Sequence, residues 1–342
     1  MRLEQPGWWH GTRPADRLKA ALFAPAGLLY GTAAKARFAF TQPYRSSLPV
    51  ICVGNFTVGG AGKTPLALAV ARIVRGMDRR PAFLTRGYGG ALVGPHAVDA
   101  SRDSAAQVGD EALLLARAAP TVLARNRTEG AKAIEALGVD LIIMDDGFQN
   151  PSLVKDLALI AIDAGAGFGN GFVFPAGPLR APLGYQIARA HAAVLIGEGG
   201  KPIAARLQGR LPVVKARLQP AGKVKWLKDQ PLLAFSGIGR PGKFFATLRD
   251  CGATLADAVP FPDHHAFTET EALALMRQAA QAEAALITTE KDWVRLSAPA
   301  GPLAQLKAMT RALAVEIAFR DKGETELRAL IGGVFNRRGA MA

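Results

Sequence analysis

Gly62, Lys63 and Thr64 close the stretch "VGNFTVGGAGKTPLALA" (53–69), in which a glycine cluster precedes a helix-forming run. Closely spaced glycines let a backbone turn tightly and aim its N–H groups at an anion; a lysine can then reach terminal phosphates, and a threonine hydroxyl can hold Mg²⁺. That chemistry is nucleotide-phosphate binding. The segment expected to carry it is Thr57, Val58, Gly59, Gly60, Ala61, Gly62, Lys63, Thr64 and Pro65. The strict Gly-x-x-x-x-Gly-Lys-[Ser/Thr] pattern is nevertheless broken, because Thr57 stands where its first glycine belongs.

A nucleotide site also needs a carboxylate at the end of a nearby buried strand, and "LIIMDD" supplies Asp145 and Asp146. One is expected to orient Mg²⁺ or its water and the other to contact Lys63 or support the site from behind. The plain alternative is that both acids merely cap a turn, and the preceding phosphate loop weakens it. "VGDEALLLA" sets Asp110 and Glu111 at a helix start, where capping alone would explain them. "FPDHHAFT" brings Asp263, His264 and His265 into one turn; without a matching Cys/His cluster, a histidine paired with a carboxylate for acid/base work is more economical than a metal site. Arg86, Arg125, Arg127 and Arg180 fall in loops after strands, where an arginine clamps phosphate or is simply solvated.

The elements that must position these groups alternate. "LPVICVGN" reads as a strand and "TPLALAVARIVRGM" as a helix; "RPAFLT", "PTVLAR", "VDLIIMDD" and "LALIAIDA" read as further strands, with helices between several of them. This implies an α/β, P-loop NTPase-like fold with a mostly parallel sheet flanked by helices. "GAGFGNGFVFPAGPLRAPLG" is a long Gly/Pro-rich loop of the kind that carries function. "PLLAFSGIGRPGKFFATLRDCG" restarts a strand, turn and helix, so a second, smaller α/β lobe follows. The expected division is an N-terminal segment over 1–45, a P-loop domain over 46–215 and the smaller lobe over 216–342, its last helix free to return to the first domain.

Lysine and arginine number 42 against 28 acids, a formal charge of +14 that draws the chain to an anionic partner: nucleic acid, a phospholipid surface or a phosphorylated substrate. Two isolated cysteines indicate neither a disulfide framework nor structural zinc. No apolar run reaches the roughly eighteen residues of a spanning helix. The N-terminal "PGWWHGTRPADRLKAALFAPAGLLYG" instead pairs two tryptophans with Leu18, Leu22, Phe23, Leu28, Leu29 and Tyr30 around Arg13, Arg17 and Lys19. It reads either as a helix lying in a membrane interface or as one packed on its own domain around a kink at Pro25.

Taken in order, "VGNFTVGGAGKTP", "TRGYGG", "VGDEALLLA", "MDDGFQN", "FPAGPLR", "FSGIGRP", "FPDHHAFT" and "TTEKD" resemble the tetraacyldisaccharide 4′-kinases of Gram-negative bacteria. The resemblance implies ATP and Mg²⁺ as cofactors and transfer of the γ-phosphate to the 4′-hydroxyl of a tetraacylated glucosamine disaccharide 1-phosphate, giving lipid IVA. It implies a peripheral enzyme at the cytoplasmic face of the inner membrane, with the lipid disaccharide and the anionic membrane surface as partners and with neither nucleic acid nor a protein partner. Carried over by motif, Lys63 and Thr64 are the phosphate-loop pair, Asp110 the general base assisted by His264, Glu111, Asp145 and Asp146 the Mg²⁺-side acids, and Arg127 and Arg180 phosphate contacts. Two other readings compete: a P-loop ATPase or GTPase driving a partner, and a membrane-attached nucleotide-binding scaffold.

Overall fold

The computed structural model describes residues 6–298 and 300–339; residues 1–5 and 340–342 of the expected terminal segments lie outside the described residues. The chain opens with helix α1 (Pro14–Phe40) and then builds a sheet from β1 (Val50–Gly54), β2 (Pro81–Thr85), β3 (His96–Ala97), β4 (Thr121–Leu123), β5 (Leu141–Asp145), β6 (Leu157–Asp163), β7 (Ala192–Ile196) and β8 (Val213–Pro220). Between these strands lie α2 (Lys63–Arg75), α3 (Ala105–Val108), α4 (Asp110–Ala116), α5 (Arg127–Glu135), α6 (Leu183–Ile187) and α7 (Lys201–Leu207).

A second sheet follows, made of β9 (Leu232–Ser236), β10 (Leu255–Pro260), β11 (Ala285–Thr289) and β12 (Thr310–Leu313), with α8 (Pro241–Asp250), α9 (Glu269–Gln281), α10 (Glu290–Arg295) and α11 (Pro302–Met309). All of its strand pairs are parallel. The chain then returns: β13 (Val315–Phe319) pairs antiparallel with β8, Pro220 opposite Val315, and α12 (Gly323–Gly339) packs its Leu327, Ile331 and Val334 into the first core. The boundary expected after residue 215 therefore falls inside β8, and the smaller lobe is an insertion over 221–314.

The first sheet has the order β13-β8-β7-β6-β1-β5-β2-β4-β3 and is parallel from β8 to β4. Ile51, Val53, Ile143 and Leu159 meet α2 on one face, while Cys52, Ile142 and Ile160 meet Phe56, Phe148 and Ile134 on the other. Burial on both faces is why these strands are continuous apolar runs rather than alternating ones. Because β1, β5 and β2 end side by side, the loops after them converge at one edge, where ligands of such sheets bind.

Helix α1 buries only Asp16, Ala20, Gly27 and Gly31, laying its small residues on the loop around Val173 and Pro182. Leu18, Leu22, Leu28, Leu29 and Phe40 stay exposed, each by 70% or more, so the helix turns its large apolar side chains outward. No helix among the described residues is long and apolar enough to cross a membrane.

Candidate active site

The phosphate loop leaves β1 at Gly54 and enters α2 at Lys63. Gly62 has φ +83°, a conformation that favours glycine, and a Cβ there would come 2.9 Å from the movable end of Ile196. Gly59, at φ +105°, makes the other left-handed turn, and its carbonyl accepts from Asn55 Nδ2 at 3.2 Å. Thr57 needs no such freedom: it bridges Leu179 in antiparallel fashion, flanked by Val58 N–H to Pro178 O at 2.8 Å and Arg180 N–H to Phe56 O at 2.9 Å. The first half of this loop is an extended ribbon paired with "PAGPLR", which explains the missing glycine. Ala61 packs into the core beneath the loop, Gly60 faces solvent, and Pro65 falls in the first turn of α2, where an N–H is dispensable. Thr64 is buried at the same helix start.

The two acids after β5 separate. Asp146, itself at φ +49°, lies 3.6 Å from Lys63 Nζ and accepts from Arg180 Nη1 at 3.1 Å. Burial works against its charge, but Lys63 and Arg180 outweigh it and hold the carboxyl below its ordinary range. Asp145 is 1% exposed, and its Oδ1 has no hydrogen-bond partner among the described residues. Burial first, then the charges of Glu111 and Asp146, push it up to about 7. A buried carboxylate oxygen with no donor, under the charge of two other acids, fits a cation. The described residues contain no cluster of three metal-ligating side chains, and the expected set of Thr64, Glu111, Asp145 and Asp146 is not assembled as one. Mg²⁺ bound with nucleotide needs only one or two carboxylates, phosphates and water supplying the rest.

Asp110 is 3% exposed at the start of α4 and receives the N–H of Glu111 at 2.9 Å on Oδ1. Its Oδ2 faces the inserted lobe, accepting from Arg295 Nη2 and lying 3.6 Å from His264 Nδ1. Burial opposes its charge, but Arg295, Lys291 and His264 together keep the carboxyl below its usual range. His264 is lowered, by burial first and by Arg295, against the pull of Asp110. The adjacent His265 turns elsewhere: its Nε2 meets Glu271 at 2.9 Å and its ring stacks on Phe261. Of the two histidines, only His264 meets Asp110.

The sequence profile of the Tetraacyldisaccharide-1-P 4′-kinase family matches residues 19–332. The chain belongs to this family. It is 49% identical over 341 residues to the tetraacyldisaccharide 4′-kinase of Methylorubrum extorquens, covering 98% of this chain and 100% of that one. With the enzyme of the same name from Paramagnetospirillum magneticum the identity is 46%, covering 99% and 100%. Among solved structures, LpxK of Aquifex aeolicus in complex with ATP superposes with TM-score 0.74 at 27% identity, covering 92% of this chain and 99% of that chain.

In this member of the tetraacyldisaccharide 4′-kinase family the arginines divide as well. Arg127, at the start of α5, is 2% exposed, donates to Ala124 O, and has an Nε without a partner among the described residues. Burial, reinforced by Arg86, lowers it to about 10 against the attraction of Asp146 and Asp145. Arg125 is exposed and reaches only Gly90 O, at 3.3 Å, and Arg86 is exposed as well. Arg180 ties Asp146, Gln149 and Thr57 O together.

Four participants receive no role from the sequence, although Gln149 lies in "MDDGFQN" and Lys291 and Asp292 lie in "TTEKD". Gln149 joins Arg180 to Asn55 O; Lys291 Nζ donates to Glu111 at 2.7 Å; Arg295 grips Asp110; and Asp292 anchors Arg295 at 2.8 Å. The available signal is modest: Lys291 and Arg295 stand four apart in "EKDWVR" and so share one helix face.

Proposed function

We propose that this chain transfers the γ-phosphoryl group of ATP to the 4′-hydroxyl of a tetraacylated disaccharide 1-phosphate, yielding lipid IVA and ADP at the cytoplasmic face of the inner membrane. The observation that carries the reading is the meeting of two half-sites. A phosphate loop ends at Lys63, whose charge acts on Asp145 together with that of Glu111, and next to Glu111 the Asp110 carboxylate accepts from Arg295 and faces His264 of the inserted lobe. Such a pairing suits an acceptor hydroxyl held between lobes better than water in an ATPase.

In the reaction a bond forms between the 4′-oxygen and the γ-phosphorus while the bond from phosphorus to the β,γ-bridging oxygen breaks, and the hydroxyl proton passes to Asp110. Thr64 and Asp145 are the residues that would hold Mg²⁺, with Glu111 nearby, and the ion would supply neutralisation of the phosphate charge. Lys63 neutralises the terminal phosphates, and Asp146 keeps its ammonium aimed at the loop. Arg180 and Arg127 set positive charge against the negative charge on the oxygens of the transferred group. The outward apolar face of α1, with Arg17, Lys19, Lys35 and Arg37 along the same helix, supports seating in an anionic lipid interface.

The test is transfer of labelled phosphate from ATP to tetraacyldisaccharide 1-phosphate in mixed micelles. Asp110→Asn is expected to lower kcat by about 10²- to 10⁴-fold with ATP affinity unchanged. Unchanged turnover in the purified variant removes Asp110 from the base role. Turnover of ATP at full rate without the lipid acceptor favours a hydrolase, and deletion of residues 1–30 without loss of vesicle binding removes the interface role of α1.

A further inference from the structure

We infer that Arg295 is the positioning residue of the acceptor side, holding the Asp110 carboxylate and fixing His264 with its proton on Nε2 and its Nδ1 lone pair turned to the guanidinium. The inference rests on the reading of Asp110 as the group that takes the acceptor proton.

Arg295 comes from α10 in the inserted lobe, and its side chain is 7% exposed. Nη1 donates to Gly237 O and to Asp292 Oδ1, each at 2.8 Å, and these two anchors set the plane of the guanidinium. Nη2 then donates to Asp110 Oδ2 and lies 3.2 Å from His264 Nδ1. A guanidinium has no lone pair to offer, so the nitrogen facing it must accept. The ring proton therefore sits on Nε2, 3.9 Å from Asp263 Oδ1, and the imidazole does not donate from Nδ1 to Asp110.

This arrangement inverts the simple picture of a histidine steadying a carboxylate. Both the carboxylate and the imidazole are oriented by a third group, which itself is oriented by Asp292 and a main-chain carbonyl. The other groups facing the pair are Lys291 from α10, Glu111 on the helix of Asp110, and the Tyr88 ring, whose centroid is 5.4 Å from that of His264. With one carboxylate oxygen on its own helix N–H and the other on Arg295, only the remaining lone pairs of Asp110 face an incoming hydroxyl. The proton acceptor is thus complete only when the inserted lobe is docked.

The test reads the ring nitrogens of His264 by ¹⁵N NMR on the full chain labelled at histidine, assigned by loss of its signals in His264→Asn. The wild type is expected to show Nδ1 unprotonated and Nε2 protonated; a protonated Nδ1 overturns the inference without any variant of Arg295. In Arg295→Met, Nδ1 is expected to gain a proton and turn to Asp110. Its kcat should fall about 10- to 100-fold with the KM for ATP within about twofold, and Arg295→Lys should recover part of the loss. Unaltered nitrogen shifts in folded Arg295→Met, or a loss confined to thermal stability with kcat intact, overturns the assignment. Full turnover in Asp110→Asn would instead remove the base reading, while the nitrogen shifts are read without turnover.

Discussion

Replacing Asp292 by alanine tests the anchoring of the acceptor side most directly. Asp292 is fully buried and accepts from Ser236 Oγ at 2.9 Å, Thr289 Oγ1 at 2.7 Å and Arg295 Nη1 at 2.8 Å. Removing one member of a buried ion pair costs about 3–5 kcal/mol. The Ser236 hydroxyl, also fully buried, loses its acceptor and adds a cost of about 1 kcal/mol or more. Asp110 remains on Arg295 and holds the first term toward its lower end, so the sum is about 4 kcal/mol. In a lobe of roughly ninety residues each kcal/mol lowers the melting temperature by about 4–8 °C, giving a fall of roughly 16–32 °C. Scanning calorimetry of the full chain reads this as a downward shift of the inserted lobe's transition. Adding Arg295→Met to Asp292→Ala should cost less than the two single changes summed, because the second removes the charge that the first left unpaired. A loss under about 1 kcal/mol, or strict additivity in the double variant, would refute the reasoning.

Three further outcomes follow from other parts of the molecule. Thr57→Gly restores the missing motif residue yet should destabilise the chain by about 0.5–1 kcal/mol and leave ATP binding no tighter, since Thr57 is extended and paired; tighter binding by calorimetric titration would contradict the ribbon explanation. Gly27→Val puts a Cβ 2.8 Å from Val173 O and should lift α1 from its loop at a cost of about 1–3 kcal/mol, exposing the buried Trp9 and red-shifting its emission; an unchanged spectrum counts against that docking. His191 accepts the Ala158 N–H on Nδ1 at 2.9 Å and is lowered by burial and by Arg337. The unfolded chain then binds the proton more readily, so stability should be full above the ordinary histidine value and decline as pH falls below it. His191→Gln should flatten that decline in denaturation midpoints measured from pH 8 to 5, and an identical slope would exclude the residue.

The alternating strands, the phosphate loop and the acids after β5 were legible because each is written within a dozen contiguous residues. Buried parallel strands must be apolar, and tight turns must be glycine, so local sequence carries them. What was not legible depends on distance along the chain. That His264 and not His265 faces Asp110 goes with Glu271, which caps α9 together with Thr268 and holds His265. The grip of Arg295 on Asp110 joins residues 185 apart, and neither motif announces the other. Thr57 looked like a defect only because its bridge partner, Leu179, lies far downstream. The return of the last helix was anticipated, but that of β13 was not, because a returning strand looks the same in sequence as a continuing one.

That return has a consequence for how the chain assembles. Pro220 and Val315 sit opposite each other in one ladder, so the inserted lobe leaves and re-enters the large sheet through a single doorway. Closing a disordered loop of about ninety residues to bring those strands together would cost about 4 kcal/mol in chain entropy. A lobe that folds first presents its two ends already close and removes most of that cost. The large sheet therefore completes its edge most readily after its guest is formed, and a short turn in place of the guest would leave a nucleotide-binding sheet with its edge intact but without His264 and Arg295.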